Sequence, residues 1–192
     1  METDDSADYL PNFGRPDWLG PISLDDWRFP ELNQPVDVVL IVRRTDVKGN
    51  TSREQHWFIQ WDRGCFTDNG REFPVTRRVQ IVREMILRGS DDERGRMLPH
   101  LTNWGANTKT PTGLTTAERS HRVVIKRMTK EERVRLQEIA DSTRVRVPNG
   151  RWNCQDWIKT VLMTAVQGGL IDQGQYDEAI TQAESVPPAL VE

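Results

Sequence analysis

Residues 148–168 read P-N-G-R-W-N-C-Q-D-W-I-K-T-V-L-M-T-A-V-Q-G, and this stretch has the marks of one well-bounded helix with a thiol at its start. Asn153 is a good N-cap, because its side-chain oxygen can accept a backbone N–H group of the first turn, and Gly168 is a stop signal. Between them apolar residues recur at the spacing of one helical stripe: Trp157, Ile158, Val161, Leu162, Ala165 and Val166. The stretch predicts a central helix that buries this stripe.

Cys154 lies at the N-terminal edge of the stripe, three residues before Trp157. The partial positive charge of a helix N-terminus favours a thiolate, so this position predicts a lowered thiol pKa and a candidate nucleophile. The alternative is a small buried side chain, because free cysteines are among the most buried residue types. The helix alone favours the alternative, since a reactive thiol also needs a base.

Length and composition narrow the class of protein. The chain has 192 residues, 29% of them charged, and a formal net charge of -3. This length favours a single domain, and a nucleic-acid binder would usually be distinctly basic, so no nucleic-acid partner is expected. The longest aliphatic run, residues 38–42, is far too short to span a bilayer. The first residues are acidic rather than basic and then apolar, so we expect a cytoplasmic or nuclear protein without a membrane partner.

Cysteine and histidine spacing gives no sign of a metal site. The two cysteines, Cys65 and Cys154, are expected to be free thiols in a reducing compartment. His56 and His100 do not stand at zinc-ligand spacing from Cys65, so we expect neither a metal nor another cofactor. The sequence does not indicate an oligomeric state.

The distribution of residue types along the sequence predicts that the chain has three parts. Residues 1–35 are acidic, interrupted by prolines and scattered with aromatic side chains. They predict an extended, partly disordered arm that its aromatics pin to the domain, or alternatively an arm that docks a partner. Residues 36–172 are predicted to form one α+β domain, and residues 173–192 a short helix with a frayed tail.

Within the domain, β-branched and aromatic density predicts strands at residues 36–44, 55–61, 71–75 and 121–128. Residues 62–70 are predicted as a turn cluster, and residues 145–147 as an edge strand. Helical spacing predicts helices at residues 76–88 and 129–140, the second opening with a Thr129 and Glu132 capping box. The expected fold class is α+β, with an antiparallel sheet packed against the central helix that carries Cys154.

Arginines recur between positions 77 and 96 and raise the idea of an anionic ligand. Acidic residues are interspersed among them, so a solvated helix face is the favoured interpretation.

Among the three histidines, His56 is the best candidate for a base. It begins a strand beside aromatic residues, where an imidazole can be desolvated and oriented. Strand alternation puts Phe58 and Gln60 on its face and Trp57 on the other. His100 and His121 are predicted to be exposed.

The order of these motifs resembles the circularly permuted papain-like superfamily, which includes lecithin retinol acyltransferase-like and NlpC-related proteins. In the permuted members the histidine strand precedes the cysteine helix, as it does here. More narrowly, the chain resembles uncharacterised fungal proteins with a W-N-C-x-x-W-V signature. The resemblance covers residues 36–171 and rests on H-W-F-I-Q-W, H-R-V-V-I-K and W-N-C-Q-D-W-I.

The resemblance implies a thiol hydrolase or acyltransferase that acts on a peptide, isopeptide or acyl substrate. Cys154 would be the nucleophile and His56 the general base and acid, with the Cys154 backbone N–H as an oxyanion donor. The family places a polar orienting residue on the strand after His56, but Pro74 stands in the expected place. Glu72 or Asp68 is expected to substitute. The implied binding residues are Gln60, Asn153, Trp57 and Trp152.

The missing orienting residue supports a second hypothesis, a non-catalytic binding or interaction protein that retains the fold. In that case the aromatic residues around His56 would form a ligand or partner groove, and Cys154 would be buried and unreactive.

Overall fold

A computed structural model of the protein describes residues 8–16, 26–44, 47, 49–86, 95–109 and 120–188. In these ranges seven strands and three α-helices form an α+β fold. The strands are β1 (Val36–Arg43), β2 (His56–Asp68), β3 (Arg71–Val79), β4 (Ile81–Val82), β5 (Thr102–Asn103), β6 (Asn107–Lys109) and β7 (Ser120–Met128). The helices are α1 (Lys130–Ser142), α2 (Cys154–Gln167) and α3 (Gln173–Glu184).

The main sheet has five antiparallel strands in the order β6-β3-β2-β1-β7. The strands β2 and β3 form one long hairpin that turns at Asn69 and Gly70. Both residues have positive φ, at 48° and 76°, which is the backbone conformation of the tight hairpin turn that favours Asn-Gly. A bulge between Asp62 and Gly64 shifts the register partway along the hairpin.

This hairpin corrects two of the sequence predictions. The turn cluster expected at residues 62–70 is strand as far as Asp68, and the helix expected at residues 76–88 is strand through Val79 and again at Ile81–Val82. The reason lies at Arg77, a fully buried residue whose guanidinium pairs with Asp26. A buried ion pair takes the place of an apolar side chain and hides the strand alternation. Residues 87–88 lie outside the described residues.

The central helix α2 begins and ends where the sequence predicts. Asn153 caps it by accepting a hydrogen bond from the Gln155 N–H, and Gly168 follows its last residue. The residues of its stripe that pack deepest, Ile158, Val161 and Leu162, are fully buried. The Thr129 and Glu132 capping box before α1 is confirmed as well.

The three helices contribute to a core on one side of the sheet, which we call the core face. Trp57, Ile59 and Trp61 of β2 belong to it, together with the buried stripe of α2 and Cys154. Burial of this contiguous apolar surface is the main favourable term in folding. The expected α+β class, an antiparallel sheet packed against the Cys-bearing helix, is therefore confirmed.

The opposite side of the sheet, which we call the second face, carries a smaller buried cluster of Val39, Ile41 and Phe58. Strand alternation puts His56 and Gln60 on this face with Phe58, as the sequence predicts. The second face is therefore where the histidine of β2 presents its ring.

Residues 26–34 lie against α1 and the β2–β3 hairpin through buried ion pairs. Arg133, fully buried in α1, contacts Glu31 at 2.8 Å and donates a hydrogen bond of 2.7 Å to the Met128 carbonyl. Arg63 on β2 pairs with Asp26 at 2.9 Å and with Glu31 at 3.1 Å. Arginines that leave water in this way need a carboxylate beside them.

Both ends of the described chain contact the domain. Tyr9 forms a bridge with Arg146, which is all that appears of the edge strand predicted at residues 145–147. Near the other end, the Gln55 side chain donates hydrogen bonds to the carbonyls of Val186, at 3.1 Å, and Pro187, at 2.8 Å. The helix expected after Gly169 is α3. Residues 1–7, 17–25 and 189–192 of the predicted arm and tail lie outside the described residues. Within the ranges that are described, no helix has the length and apolar character needed to cross a membrane.

Candidate active site at the start of α2

Cys154 is the first residue of α2, and its sulfur lies beside the backbone of β2. Its Sγ is 3.8 Å from the Gln55 carbonyl oxygen, and the backbone N–H of Trp57 also interacts with it. Gln55 and Trp57 are the two neighbours of His56 in the chain. The fold therefore brings the thiol to the backbone of the histidine strand across almost a hundred residues.

Polar contacts hold this junction in place. The Arg53 guanidinium binds the Asp156 carboxylate and the Arg151 carbonyl, both near the start of α2. In the other direction, the Gln155 side chain donates hydrogen bonds to the carbonyls of Ser52, at 2.7 Å, and Gln55, at 3.1 Å. The turn before β2 and the first turn of α2 thus form one hydrogen-bonded unit.

A cleft of about 420 Å³ opens beside the sulfur, and we call it the Cys154 cleft. His56, His100, Trp152 and Asn153 line it with Cys154. Four arginines, at positions 53, 83, 146 and 151, also line it with one acidic residue, Glu54, so its lining carries a net positive charge. A substrate group could therefore reach the only thiol that lies in this cleft.

The thiol is not activated in the way that the sequence predicts. The N–H groups of Trp57, Cys154 and Gln155 favour the thiolate and act to lower its pKa. Burial is the larger effect and raises the pKa of the Cys154 thiol above its ordinary value. Cys154 is 9% exposed, so the helix end does not outweigh the lost hydration of a thiolate.

The imidazole of His56 is held on the second face by Gln80. Its Nε2 is 3.0 Å from the Gln80 side-chain oxygen, and its ring centre is 5.6 Å from that of Phe58. Burial lowers the pKa of His56, the Gln80 hydrogen bond opposes this, and the positive charges of Arg78 and Arg43 lower it further. Because an amide oxygen only accepts, Nε2 carries the proton and Nδ1 is the basic nitrogen of the neutral ring.

The structure does not bring Glu72 and Asp68 to His56. Both lie at the turn end of the β2–β3 hairpin, where Asp68 pairs with Arg71 and Thr67 with Glu72. His56 is at the other end of β2, a strand of 13 residues. At ~3.3 Å per residue this is roughly 40 Å of strand, far beyond hydrogen-bond reach. The side chain that contacts the imidazole is instead Gln80, just after β3.

Gln80 is the hydrogen-bond partner of His56 that sequence reasoning missed. A signal for it was present in Asn69-Gly70, the strongest short hairpin signal in the chain. Counting outward from that turn brings the start of β2 opposite the residues that follow β3. The sequence prediction ended the second strand at Trp61, and so it did not show that the start of β2 lies opposite the residues after β3.

The predicted binding residues divide into two groups. Asn153 and Trp152 line the Cys154 cleft. Gln60 lies on the second face, where its side-chain oxygen accepts a hydrogen bond of 3.0 Å from Arg78. Trp57 is 1% exposed in the core and cannot contact a ligand directly.

The other two histidines differ from each other. His121 is exposed on β7, as expected. His100 is partly buried rather than exposed, and it lines the Cys154 cleft. Its Nε2 donates a hydrogen bond of 2.9 Å to the Gly14 carbonyl. It is therefore the one alternative imidazole among the described residues that line the cleft with Cys154.

His56 lines the Cys154 cleft and also a second cavity on the second face. Among the described residues no hydrogen bond joins Sγ of Cys154 to the imidazole. Catalytic hydrogen bonds are often long before substrate binds, so shared lining of one cleft is the informative observation. In the described part of the chain, no cluster of histidine, cysteine and acidic side chains could hold a metal ion.

No family model, no curated protein and no solved structure matches the chain. The likeness to the papain-like superfamily therefore stays a prediction, carried by the motifs around His56 and Cys154. The chemistry of the site must be inferred from its own residues and their contacts.

Proposed function

We propose that the protein is a cysteine-dependent hydrolase or acyltransferase that acts on a peptide, isopeptide or acyl substrate. Cys154 is the nucleophile, His56 the general base and Gln80 the residue that positions His56. One observation carries the proposal: Gln80 holds Nε2 of His56, while the sulfur of Cys154 lies beside the backbone on either side of that histidine. His56 and Cys154 also line the same cleft, in which the nucleophile, base and orienting group of a catalytic triad would have to converge.

The reaction begins with a neutral pair. The raised pKa of Cys154 and the lowered pKa of His56 both favour the uncharged forms near pH 7. As Sγ attacks the substrate carbonyl carbon, its proton passes to Nδ1 of His56. The imidazolium then donates this proton to the leaving amine or alkoxide as the bond to carbon breaks. This is general-base catalysis rather than attack by a preformed thiolate.

The first half-reaction leaves an acyl thioester on Cys154. Backbone N–H groups at the start of α2 are the donors for the tetrahedral oxyanion, and the helix dipole favours negative charge there. In a hydrolase, His56 deprotonates water, which attacks the thioester carbon and releases the acid. In an acyltransferase, the hydroxyl or amine of an acceptor takes the place of water.

We further propose that the α+β fold is a circularly permuted papain-like fold. Support comes from the order of elements, with the histidine at the start of a central strand and the cysteine at the start of a later helix. A cytoplasmic or nuclear location is part of the proposal, because both cysteines are free thiols and Cys65 is exposed.

Acylation by a simple activated ester tests the proposal. We expect p-nitrophenyl acetate to acetylate Cys154, with the adduct located by peptide mass spectrometry. Cys154→Ser removes the thioester, and His56→Asn lowers the acylation rate about 100-fold or more, the usual contribution of a general base. Cys65→Ser is the matched thiol control and leaves the rate unchanged.

His100→Asn is the matched imidazole control, since His100 lines the same cleft. A rate that falls in His100→Asn and not in His56→Asn would show that the base is assigned to the wrong residue. Equal acetylation of Cys65 and Cys154, independent of His56, would contradict the enzymatic function altogether.

A non-catalytic binding protein is the second candidate. It is favoured by the burial of the thiol, which raises its pKa, and by its contact with the Gln55 carbonyl. Such a protein would use the Cys154 cleft to hold a ligand without a covalent step. It predicts that Cys154→Ser lowers the free energy of unfolding, while no acyl adduct ever forms on the natural protein.

A further inference from the structure

The second face of the sheet has a cavity of about 330 Å³ whose basic side chains have no part in the proposed reaction. We call it the Arg78 cavity. Four basic side chains line it, Arg43 from β1, Arg78 from β3, Arg83 from just after β4 and Lys109 from β6, together with His56 and Gln80. Three strands therefore direct positive charge into one space on the far side of the histidine.

Arg78 is held inside the cavity by neutral groups. Its guanidinium carbon is 4.0 Å from the centre of the Phe58 ring, and one terminal nitrogen donates a hydrogen bond of 3.0 Å to Gln60. Its Nε is buried and has no hydrogen-bond partner. Leaving a buried cationic donor unpaired is costly, and Arg78 itself lines the cavity, so an anion bound there would offset part of this cost.

Arg78 is half-buried, and the three buried arginines of the described ranges differ from it in their partners. Arg63, Arg77 and Arg133 each pair with Asp26 or Glu31. By contrast, no carboxylate of a described residue forms an ion pair with Arg43, Arg78 or Lys109. The sequence prediction of a solvated arginine face is therefore wrong at Arg77, which is fully buried and paired with Asp26.

Electrostatics gives the cavity its preference. Burial lowers the pKa of Arg78, and the charge of Arg43 lowers it further. A bound anion would relieve both effects, because it sits near two like charges in a medium of low dielectric constant. The unfavourable free energy of holding the Arg78 charge in this half-buried place is therefore reduced when an anion binds, and this reduction favours binding.

We propose that the Arg78 cavity is a binding site for a small oxyanion, with phosphate as its representative. Arg78 supplies a planar fork of donors, which suits an oxyanion, and Lys109 supplies a point charge at the exposed edge strand. The Gln80 oxygen faces His56, so its amide N–H groups are the donors left for the ligand. The volume accommodates a phosphate or a small phosphate monoester.

Binding at this site would act on His56. Cations dominate the charged groups that line the two cavities around the imidazole. They are Arg43, Arg53, Arg78, Arg83, Lys109, Arg146 and Arg151, against one carboxylate, Glu54, with His100 and the Cys154 thiol in the neighbouring cleft. An anion screens the cations, so it raises the pKa of His56 toward its ordinary value. By linkage, protonation of His56 strengthens anion binding by the same factor.

The test uses the full chain and two probes, inorganic phosphate and glycerol 3-phosphate, at constant ionic strength set with sodium chloride. Isothermal titration calorimetry gives the dissociation constant, and NMR titration of the His56 ring protons gives its pKa with and without probe. We expect saturable binding and a higher His56 pKa in the presence of phosphate. Tighter binding of inorganic phosphate would identify the ligand of the cavity as the free ion, and tighter binding of glycerol 3-phosphate would identify it as a phosphate monoester.

Arg78→Gln is the decisive variant, and Arg71→Gln, on the exposed turn end of the same hairpin, is its matched control. Loss of one charge-assisted contact weakens binding about 10-fold to 100-fold, while Arg71→Gln leaves it unchanged. If Arg78→Gln fails to fold, Lys109→Gln, an exposed position, carries the test with the same expectation. Binding no stronger than that of chloride, or equal in the natural protein and in these cavity variants, overturns the proposal.

Discussion

The Nε2 nitrogen of His56 lies 3.0 Å from the side-chain oxygen of Gln80, at the junction between the Cys154 cleft and the Arg78 cavity. This contact sets which ring nitrogen is basic. Gln80 also lines the Arg78 cavity, whereas His56 itself lines both cavities. Neither Glu72 nor Asp68 is near enough to replace Gln80.

Gln80 variants should reveal whether the imidazole is positioned for catalysis. Gln80→Leu is expected to lower the rate of Cys154 acylation by p-nitrophenyl acetate roughly 10-fold to 100-fold, because the ring loses its fixed tautomer. Gln80→Glu keeps an acceptor and adds a negative charge, so it should restore much of the rate and shift the pH profile to higher pH. A purely structural role would leave the profile in place in both variants.

The stability of the protein should depend on pH through His56. Because burial lowers the pKa of folded His56 below its usual value of about 6.5, the unfolded chain binds more protons in this range. Stability is therefore full above about pH 6.5 and decreases as the pH falls toward the folded pKa. Urea unfolding of the natural protein and of His56→Gln between pH 5 and pH 8 measures this, and the variant should show the weaker dependence. Parallel curves would contradict the burial of the ring.

Two buried tryptophans offer a matched comparison of stability. Trp57 and Trp157 are both at most 1% exposed, but only Trp157 has a hydrogen-bond partner, the Thr143 carbonyl at 3.3 Å. The Trp57 indole N–H is buried without one. Trp157→Phe is therefore expected to cost about 1 kcal/mol more than Trp57→Phe, since it alone removes a satisfied hydrogen bond. Urea unfolding of both variants measures the difference, and the reverse order would show the assignment of partners to be wrong.

The N-cap of α2 should matter for chemistry as well as for stability. Asn153→Ala removes the cap and is expected to lower the free energy of unfolding by about 1 kcal/mol. Asp172→Ala, which removes the corresponding cap of α3, should cost a similar amount. Only Asn153→Ala should also slow acylation of Cys154, because only α2 carries the nucleophile. Equal acylation rates in the two variants would show that the Asn153 cap has no effect on the reaction of Cys154.

Much of the fold could be predicted because local signals and tertiary packing agree there. The stripe of α2, its Asn153 cap and the Thr129 capping box each specify a helix by short-range physics. The helix predicted at residues 76–88 is wrong for the opposite reason, because local signals and tertiary packing disagree there. Arg77 is buried by a carboxylate from a segment about fifty residues earlier, and no window of local sequence contains that partner.

The candidate site was predictable only in part. Position on a helix and on a strand pointed to Cys154 and His56, and the structure puts both in one cleft. The pKa direction of the thiol could not be derived, because it depends on how deeply the packed chain buries the sulfur. Gln80 was hidden because its approach to His56 depends on the length of a hairpin that contains a bulge.

The contacts of Arg53 span 98 to 103 residues of chain, from the turn before β2 to the first turn of α2. During synthesis the ribosome therefore releases the histidine strand long before the cysteine helix exists. Such distant pairing forms slowly, because the entropy cost of closing a large loop comes before the contacts that stabilise it. A nascent chain that has not yet reached residue 154 would therefore hold His56 without its candidate nucleophile.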